Sequence, residues 1–203
     1  MALGGGAMAR HEDPDRKRKV LLTLLVLGAL CSLVGVGTFG AFSSTTSNSN
    51  NQFASGSVII ADNDAGSAMY SVSGKKPGDS VQACITLTYT GTLAADVKVY
   101  TTSTIGPLGQ YLDMTIDKGS GSPTFPGCTG FSLQSNIFTG TLQSFASTHN
   151  VYSNGVLAYP GGQTQWNQND TLVYRFTLTL QDNNNAQGLT TGLHAFTWEA
   201  QNQ

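Results

Sequence analysis

Between residues 81 and 90, apolar and polar side chains alternate without a break. Val81, Ala83, Ile85, Leu87 and Tyr89 fall on one side, and Gln82, Cys84, Thr86, Thr88 and Thr90 on the other. A period of two is the side-chain period of an extended strand, so this segment predicts a sheet with one buried face. The same period returns near the C-terminus. Leu172, Tyr174, Phe176, Leu178 and Leu180 alternate with Val173, Arg175, Thr177 and Thr179. After a turn at Asp182-Asn183-Asn184-Asn185, His194, Phe196, Trp198 and Ala200 alternate with Ala195, Thr197 and Glu199. A shorter run at 94–102 points Val97 and Val99 inward and Asp96 and Lys98 outward. Joined to the first run by Gly91-Thr92, it reads as the second arm of a hairpin.

Further strands are expected at 53–60, 69–72, 112–116, 131–133, 137–145 and 156–159. Turns built on Asp, Asn, Gly and Pro separate them, such as Asp62-Asn63-Asp64-Ala65-Gly66 and Lys75-Lys76-Pro77-Gly78-Asp79. Strong helix formers are scarce after residue 41, and Thr, Ser, Asn, Gln and Gly are abundant. The expected fold class is all-β: a two-sheet antiparallel sandwich, jelly-roll-like, over residues 53–203, preceded by an N-terminal hydrophobic signal helix.

That leader has its own pattern. Arg10, Arg16, Lys17, Arg18 and Lys19 lie in a basic segment at 1–19, and no Lys or Arg follows until Lys75. The asymmetry keeps the N-terminus cytoplasmic and sends the remainder across the membrane. An apolar run at 20–37 follows, between a secretory h-region and a spanning helix in length. Small residues Thr38 and Gly40 stand at the −3 and −1 positions of a cut before Ala41. Residues 1–40 therefore read as a signal peptide, the alternative being an uncleaved membrane anchor. Leu30 precedes Cys31 where a lipoprotein needs a small residue, so Cys31 reads as an ordinary apolar residue of the leader.

Removing the leader leaves 163 residues, enough for one domain with a sizeable core. This part carries Lys75, Lys76, Lys98, Lys118 and Arg175 against eight Asp and Glu199, a net charge of −4. With no basic patch, nucleic acid is excluded as a partner. Its two cysteines, Cys84 and Cys128, are expected to pair in an oxidising compartment; two unpaired thiols are the alternative.

Catalytic signatures are missing. A zinc peptidase needs two imidazoles on one face with a carboxylate beside them, and His149 and His194 belong to no such motif. No G-x-S-x-G elbow, P-loop or dinucleotide fingerprint occurs. Asp62-x-Asp64 with Gly66 opens like a calcium loop, but Ser73 stands where the bidentate Glu belongs, so it reads as a turn. No catalytic residue, metal or cofactor is expected. Tyr111, Tyr152, Tyr159 and Trp166 are candidates for a sugar-binding face, against the plainer reading of buried or scattered aromatics. Residues 43–52, Ser-Ser-Thr-Thr-Ser-Asn-Ser-Asn-Asn-Gln, have no apolar anchor and read either as a flexible linker or as part of an extended arm.

Four segments carry a family resemblance. Gly35-Val36-Gly37-Thr38-Phe39-Gly40-Ala41-Phe42 resembles the leader end of the camelysin/TasA proteins of biofilm matrix fibres, which are cut just before an Ala-Phe pair by a SipW-type signal peptidase. Phe53-Ala54-Ser55-Gly56-Ser57 resembles the opening of the family domain. Lys76-Pro77-Gly78-Asp79 with Gly91-Thr92-Leu93-Ala94 resembles its hairpin, and Phe196-Thr197-Trp198-Glu199-Ala200-Gln201 its closing strand. Residues 103–165 match no part of it, and the Cys84/Cys128 pair and low charge depart from it.

The resemblance implies a jelly-roll sandwich, cleavage between Gly40 and Ala41, and a secreted structural protein of the cell surface or biofilm matrix. Such a protein assembles with itself into fibres, with matrix accessory proteins as further partners. The segment at 41–52 is then an assembly arm, with Phe42 as its apolar anchor and Thr45 and Thr46 as β-compatible residues that lie along another copy's open sheet edge. Two other readings stand beside it: a monomeric adhesin or glycan-binding module, and a camelysin-like metallopeptidase. Some family members carry the latter label, but no zinc motif here supports it.

Overall fold

The computed structural model describes residues 15, 18, 19, 22–24 and 55–203. The first six are helical. Among the described residues no helix is long and apolar enough to cross a membrane. The expected cleavage position Gly40/Ala41, the expected arm residues Phe42, Thr45 and Thr46, and Phe53 lie outside the described residues. The chain divides into two compact units, Met1–Phe53 and Ala54–Gln203. The core and the disulfide described below belong wholly to the second, so that unit folds around contacts of its own.

Among the described residues eight strands form two antiparallel sheets. β1 (Ile60–Asp62), β2 (Ser80–Tyr89), β7 (Thr171–Leu180), β4 (Leu112–Ser120) and β5 (Ser132–Thr141) make the larger sheet in the order β1-β2-β7-β4-β5. β6 (Val156–Leu157), β3 (Ala95–Tyr100) and β8 (Thr197–Asn202) make the smaller, in the order β6-β3-β8. Within a sheet, chain-consecutive strands pair only as β1–β2 and β4–β5; every other connection passes to the opposite sheet. The all-β sandwich expected from the alternation is therefore the architecture observed.

Alternation sets the core. Ile85, Leu87 and Tyr89 of β2, Leu172, Tyr174, Phe176 and Leu178 of β7, and Met114 and Ile116 of β4 face Val97 and Val99 of β3, all buried in one cluster. The smaller sheet closes it through Trp198 and Phe196: Phe196 packs 4.6 Å from Phe176 and Trp198 5.7 Å from Tyr174, centroid to centroid. Trp166, fully buried, gives its Nε1 proton to the Ala158 carbonyl (2.7 Å).

The middle of the chain departs from expectation. The run at 137–145 is not one strand. β5 ends at Thr141, which caps α1 (Leu142–Thr148): its Oγ1 accepts the Ser144 amide (3.1 Å), and Ser144 Oγ accepts the Thr141 amide (2.8 Å). Leu142 and Phe145, three apart, then bury one helical face, so a threefold spacing replaces the twofold one. The Gly91-Thr92 connection is not a hairpin, because β2 and β3 belong to different sheets. It is held as a crossover by the Ser57 carbonyl, which accepts the Thr92 amide (2.9 Å). A Cβ at Gly91 would sit 2.6 Å from that carbonyl, so glycine is required there. Residues 69–72 form no strand, and the described part of the expected first strand pairs only from Ile60 onward. The Asp182–Asn185 turn leads into a long connection to the opposite sheet rather than directly into β8.

Cys84 and Cys128 are joined by a disulfide. Cys84 lies on the outward face of β2, and its amide donates to the Pro126 carbonyl (2.9 Å), so the β4–β5 loop is pinned across the outside of the larger sheet. There Arg175 of β7 pairs with Asp117 of β4 (2.7 Å), and the Phe131 ring covers the guanidinium at 4.6 Å. A register shift between Ile116 and Asp117 accompanies this outward turn of Asp117.

Candidate functional site

Four strands lie at sheet edges: β1 and β5 in the larger sheet, β6 and β8 in the smaller. A cavity of about 350 Å³ opens where β1 and β8 face each other across the sandwich. Ile60 and Ala61 of β1, Leu87 of β2, and Phe196, Thr197 and Trp198 at the start of β8 form its walls, with Asp62 and Asp64 also lining it. β1 pairs only with β2 and β8 only with β3, so each has a row of backbone groups without a strand partner among the described residues.

The acidic side of the cavity follows from the Asp62–Gly66 turn. Asp62 Oδ1 accepts the Asp64 amide (3.1 Å), and Asp64 Oδ1 accepts the Gly66 amide (2.6 Å), with Gly66 at φ +78° in the left-handed region. Desolvation raises the Asp62 pKa; the backbone bond from Asp64 opposes this, and the Asp64 carboxylate adds to it. No Lys or Arg lines the cavity to offset the two carboxylates. Trp198, in the opposite wall, has its Nε1 buried without an acceptor among the described residues. Sequence reasoning treated Asp62 and Asp64 as a turn and Trp198 as a strand residue. Only the folding of β8 over β1 and β2 makes them neighbours.

Beside the cavity, His194 ties two long connections together. Its Nε2 lies 2.8 Å from the Tyr70 hydroxyl and its Nδ1 3.2 Å from the Gly192 carbonyl. Burial raises the Tyr70 pKa well above its ordinary value. The hydroxyl therefore stays protonated beside the His194 ring. His149 packs on Phe145 and Phe138, and its Nδ1 lies 2.5 Å from the Asn154 carbonyl. A catalytic zinc needs three protein ligands and an open position. Among the described residues no three His, Cys, Asp or Glu side chains come together in that way, so these residues do not fit a zinc centre.

The four aromatics considered for a sugar face are separated by the fold. Trp166 is in the core, and Tyr111 sits in the 3-10 turn before β4. Tyr152 and Tyr159 do come together, on the outer side of the smaller sheet. Tyr159 Oη donates to Asp96 Oδ1 (2.5 Å) and Tyr152 Oη to the Asp96 carbonyl (3.2 Å), while Lys98 Nζ covers the Tyr152 ring at 4.7 Å. Desolvation and the Asp96 bond push the Tyr159 pKa up to about 12. Next to them Tyr100 donates to Glu199 (2.6 Å), and that bond lowers the Glu199 pKa.

Residues 16–112 match the family model described as camelysin metallo-endopeptidase. The match runs from the basic residues at 16–19 through β1, β2 and β3 to the first residue of β4. No curated protein matches the chain.

Proposed function

Across residues 16–112 the chain is a camelysin-family protein, and on that premise we propose that it is a secreted structural protein of the cell surface or biofilm matrix that assembles with copies of itself. A SipW-type signal peptidase cuts between Gly40 and Ala41 and frees the arm at 41–52. The arm of one copy adds as a strand along the β8 edge of the next. Backbone hydrogen bonds supply affinity there, and Phe42 supplies the apolar contact. Thr45 and Thr46 continue the strand. Donor and acceptor are different surfaces of one molecule, so the contact is heterologous and propagates into a fibre. Matrix accessory proteins are further partners. The protein performs no catalysis and takes no cofactor.

The observation that supports this reading most is the pairing of two open strand edges, β1 and β8, with a cavity walled by Ile60, Leu87, Phe196 and Trp198 between them. An edge beside a cavity whose mixed lining includes these four apolar side chains suits an added strand carrying one apolar side chain. Sedimentation velocity and electron microscopy test it. Protein comprising residues 41–203 is expected to form oligomers or fibres, deletion of 41–52 to leave a folded monomer, and Phe42→Ser to slow assembly. A deletion variant that assembles as readily as residues 41–203 would show the arm mechanism to be wrong.

The outer face of the smaller sheet favours a second reading, a monomeric glycan-binding module, through Tyr152, Tyr159 and the carboxylates of Asp96 and Glu199. A persistent monomer retained on cell-wall glycan would favour it. The family's printed description supplies a third, a metallo-endopeptidase. Chelator-sensitive casein turnover by the pure protein would establish that activity.

A further inference from the structure

We propose that the flank of the sandwich formed by the β5 and β6 edges is a lateral contact surface, and that its partner is the same flank of a second copy. It joins neighbouring fibres side by side. That role rests on the assembly reading above, whereas the contact itself belongs to the folded unit and is measurable without fibres.

The observation is a gap in charge. From Gly119 to Asn169 the chain runs 51 residues without an Asp, Glu, Lys or Arg. All fourteen charged side chains of residues 41–203 lie in the other 112, one in every eight. The fold gathers much of this tract on one side. β5 and β6 end their sheets on the side away from β1 and β8, which meet at the cavity. α1 and the 3-10 turn at Tyr152–Asn154 link the two edges along the chain. His149, the one imidazole of the tract, is turned to Phe138, Phe145 and the Asn154 carbonyl. Two lysines approach from β3 and β4, and both are engaged. Lys118 Nζ donates to the Tyr159 and Gly161 carbonyls (2.8 and 3.3 Å), and Lys98 Nζ lies over the Tyr152 ring.

Charge selects the partner. Residues 41–203 carry a net charge of −4, so copies repel one another at a distance. Two copies meet at least cost where neither presents a charge. Pairing about a twofold axis sets each residue near its own counterpart, so Glu199 of the β8 edge or Asp62 of the β1 edge would face itself. The strands of the β5/β6 flank carry no such group and expose Leu133 (57%) and Leu157 (39%) instead. Register shifts between Ile116/Asp117 and Lys118/Gly119 twist β5 along its edge. The contact is therefore made by side chains rather than by a continued ladder.

Area sets its strength. The ten residues of β5 make an edge about 34 Å long, and packed sheets lie about 10 Å apart, which gives a strip of roughly 340 Å² per copy. A stable pair buries about 800 Å² per partner. A single contact is therefore weak, and the unit without its arm stays monomeric at micromolar concentration. Along two fibres the same contact repeats at every subunit, and the repeats reinforce one another.

Sedimentation velocity of the unit Ala54–Gln203, which holds its own core and disulfide, tests the contact. The parent is expected to be monomeric at about 10 μM and to self-associate near about 1 mM. Salt up to about 0.5 M should not weaken that association, because no ion pair takes part. The Leu133→Glu/Leu157→Glu variant changes two exposed positions and should weaken it about tenfold or more, at an unchanged melting temperature. Val72→Glu, exposed but outside the flank, should not. A strict monomer at about 1 mM, association that ignores both glutamates, or equal loss with Val72→Glu overturns the proposal. Retention on neutral glycan without self-association overturns it too. Electron microscopy of residues 41–203 separates the flank from the arm: parent fibres should lie in bundles, and the double-glutamate variant should give single fibres. Fibres that bundle despite the glutamates sink the flank and leave the arm standing. Self-association of the unit with no fibres from residues 41–203 removes the arm mechanism and the lateral role, and leaves the contact between copies.

Discussion

Replacing both Cys84 and Cys128 with alanine removes the covalent clamp on the β4–β5 loop, and the size of the loss follows from the chain. The two residues are 44 apart in sequence. Closing a loop of that length lowers the entropy of the unfolded chain enough to contribute about 4 kcal/mol at 25 °C. For a domain of this size each kcal/mol moves the melting temperature by about 2–4 °C, so the double variant should melt roughly 8–16 °C lower. Alanine is the suitable replacement because Cys84 is fully buried, and a serine hydroxyl would add an unmet polar group. Differential scanning calorimetry of oxidised parent and variant gives the shift, and thiol titration of the unfolded, unreduced parent counts free sulfhydryls. A shift of under about 3 °C with no free thiols in the parent would refute the reasoning, because the bridge would then constrain nothing that folding does not already fix.

Two smaller predictions test local features. Thr141→Ala removes the side-chain acceptor that caps α1 and should destabilise by about 1 kcal/mol in urea titration, with an unchanged m-value. Asp62 is held above its ordinary pKa of 3.8, chiefly by desolvation, so the folded state binds its proton more tightly than the unfolded chain does. Its charged form is then a cost at neutral pH, relieved as pH falls through the raised folded value. Asp62→Asn, which keeps an acceptor for the Asp64 amide, should therefore melt no lower than the parent at pH 7. Any advantage should shrink as pH falls towards the unfolded value, in paired thermal melts.

Much of the sandwich was legible in the chain because alternation reports directly which side of a strand is buried. Ile85, Leu87, Tyr174 and Phe176 all face the core as their spacing predicts. Alternation says nothing about which sheet a strand joins. For that reason the turn at Gly91 read as a hairpin, whereas β2 and β3 lie in opposite sheets. The helix after Thr141 was hidden for a related reason. Ile137, Thr139 and Thr141 continue a strand pattern, and only the Thr141/Ser144 cap marks the change to helical spacing. The cavity was the least legible feature. Asp62 and Trp198 are distant in sequence, and their approach depends on β8 folding across β1 and β2. Trp166 follows the plainer of its two readings: its amide and carbonyl, both paired with Ala95, hold it in the core.

The central claim is that the arm of one copy occupies the β1/β8 groove of another, and site-specific cross-linking tests it most directly. Residues 41–203 carrying Ser43→Cys, which leaves Phe42 in place, are mixed with residues 41–203 carrying Thr197→Cys, a position in the cavity wall. Mild oxidation follows, and products are resolved without reductant. The account predicts a mixed disulfide-linked dimer, suppressed by excess synthetic peptide of residues 41–52. It also predicts no comparable product when the acceptor is Leu133→Cys on the exposed β5 edge. No mixed dimer at Thr197→Cys, or equal yield at Leu133→Cys, would contradict it.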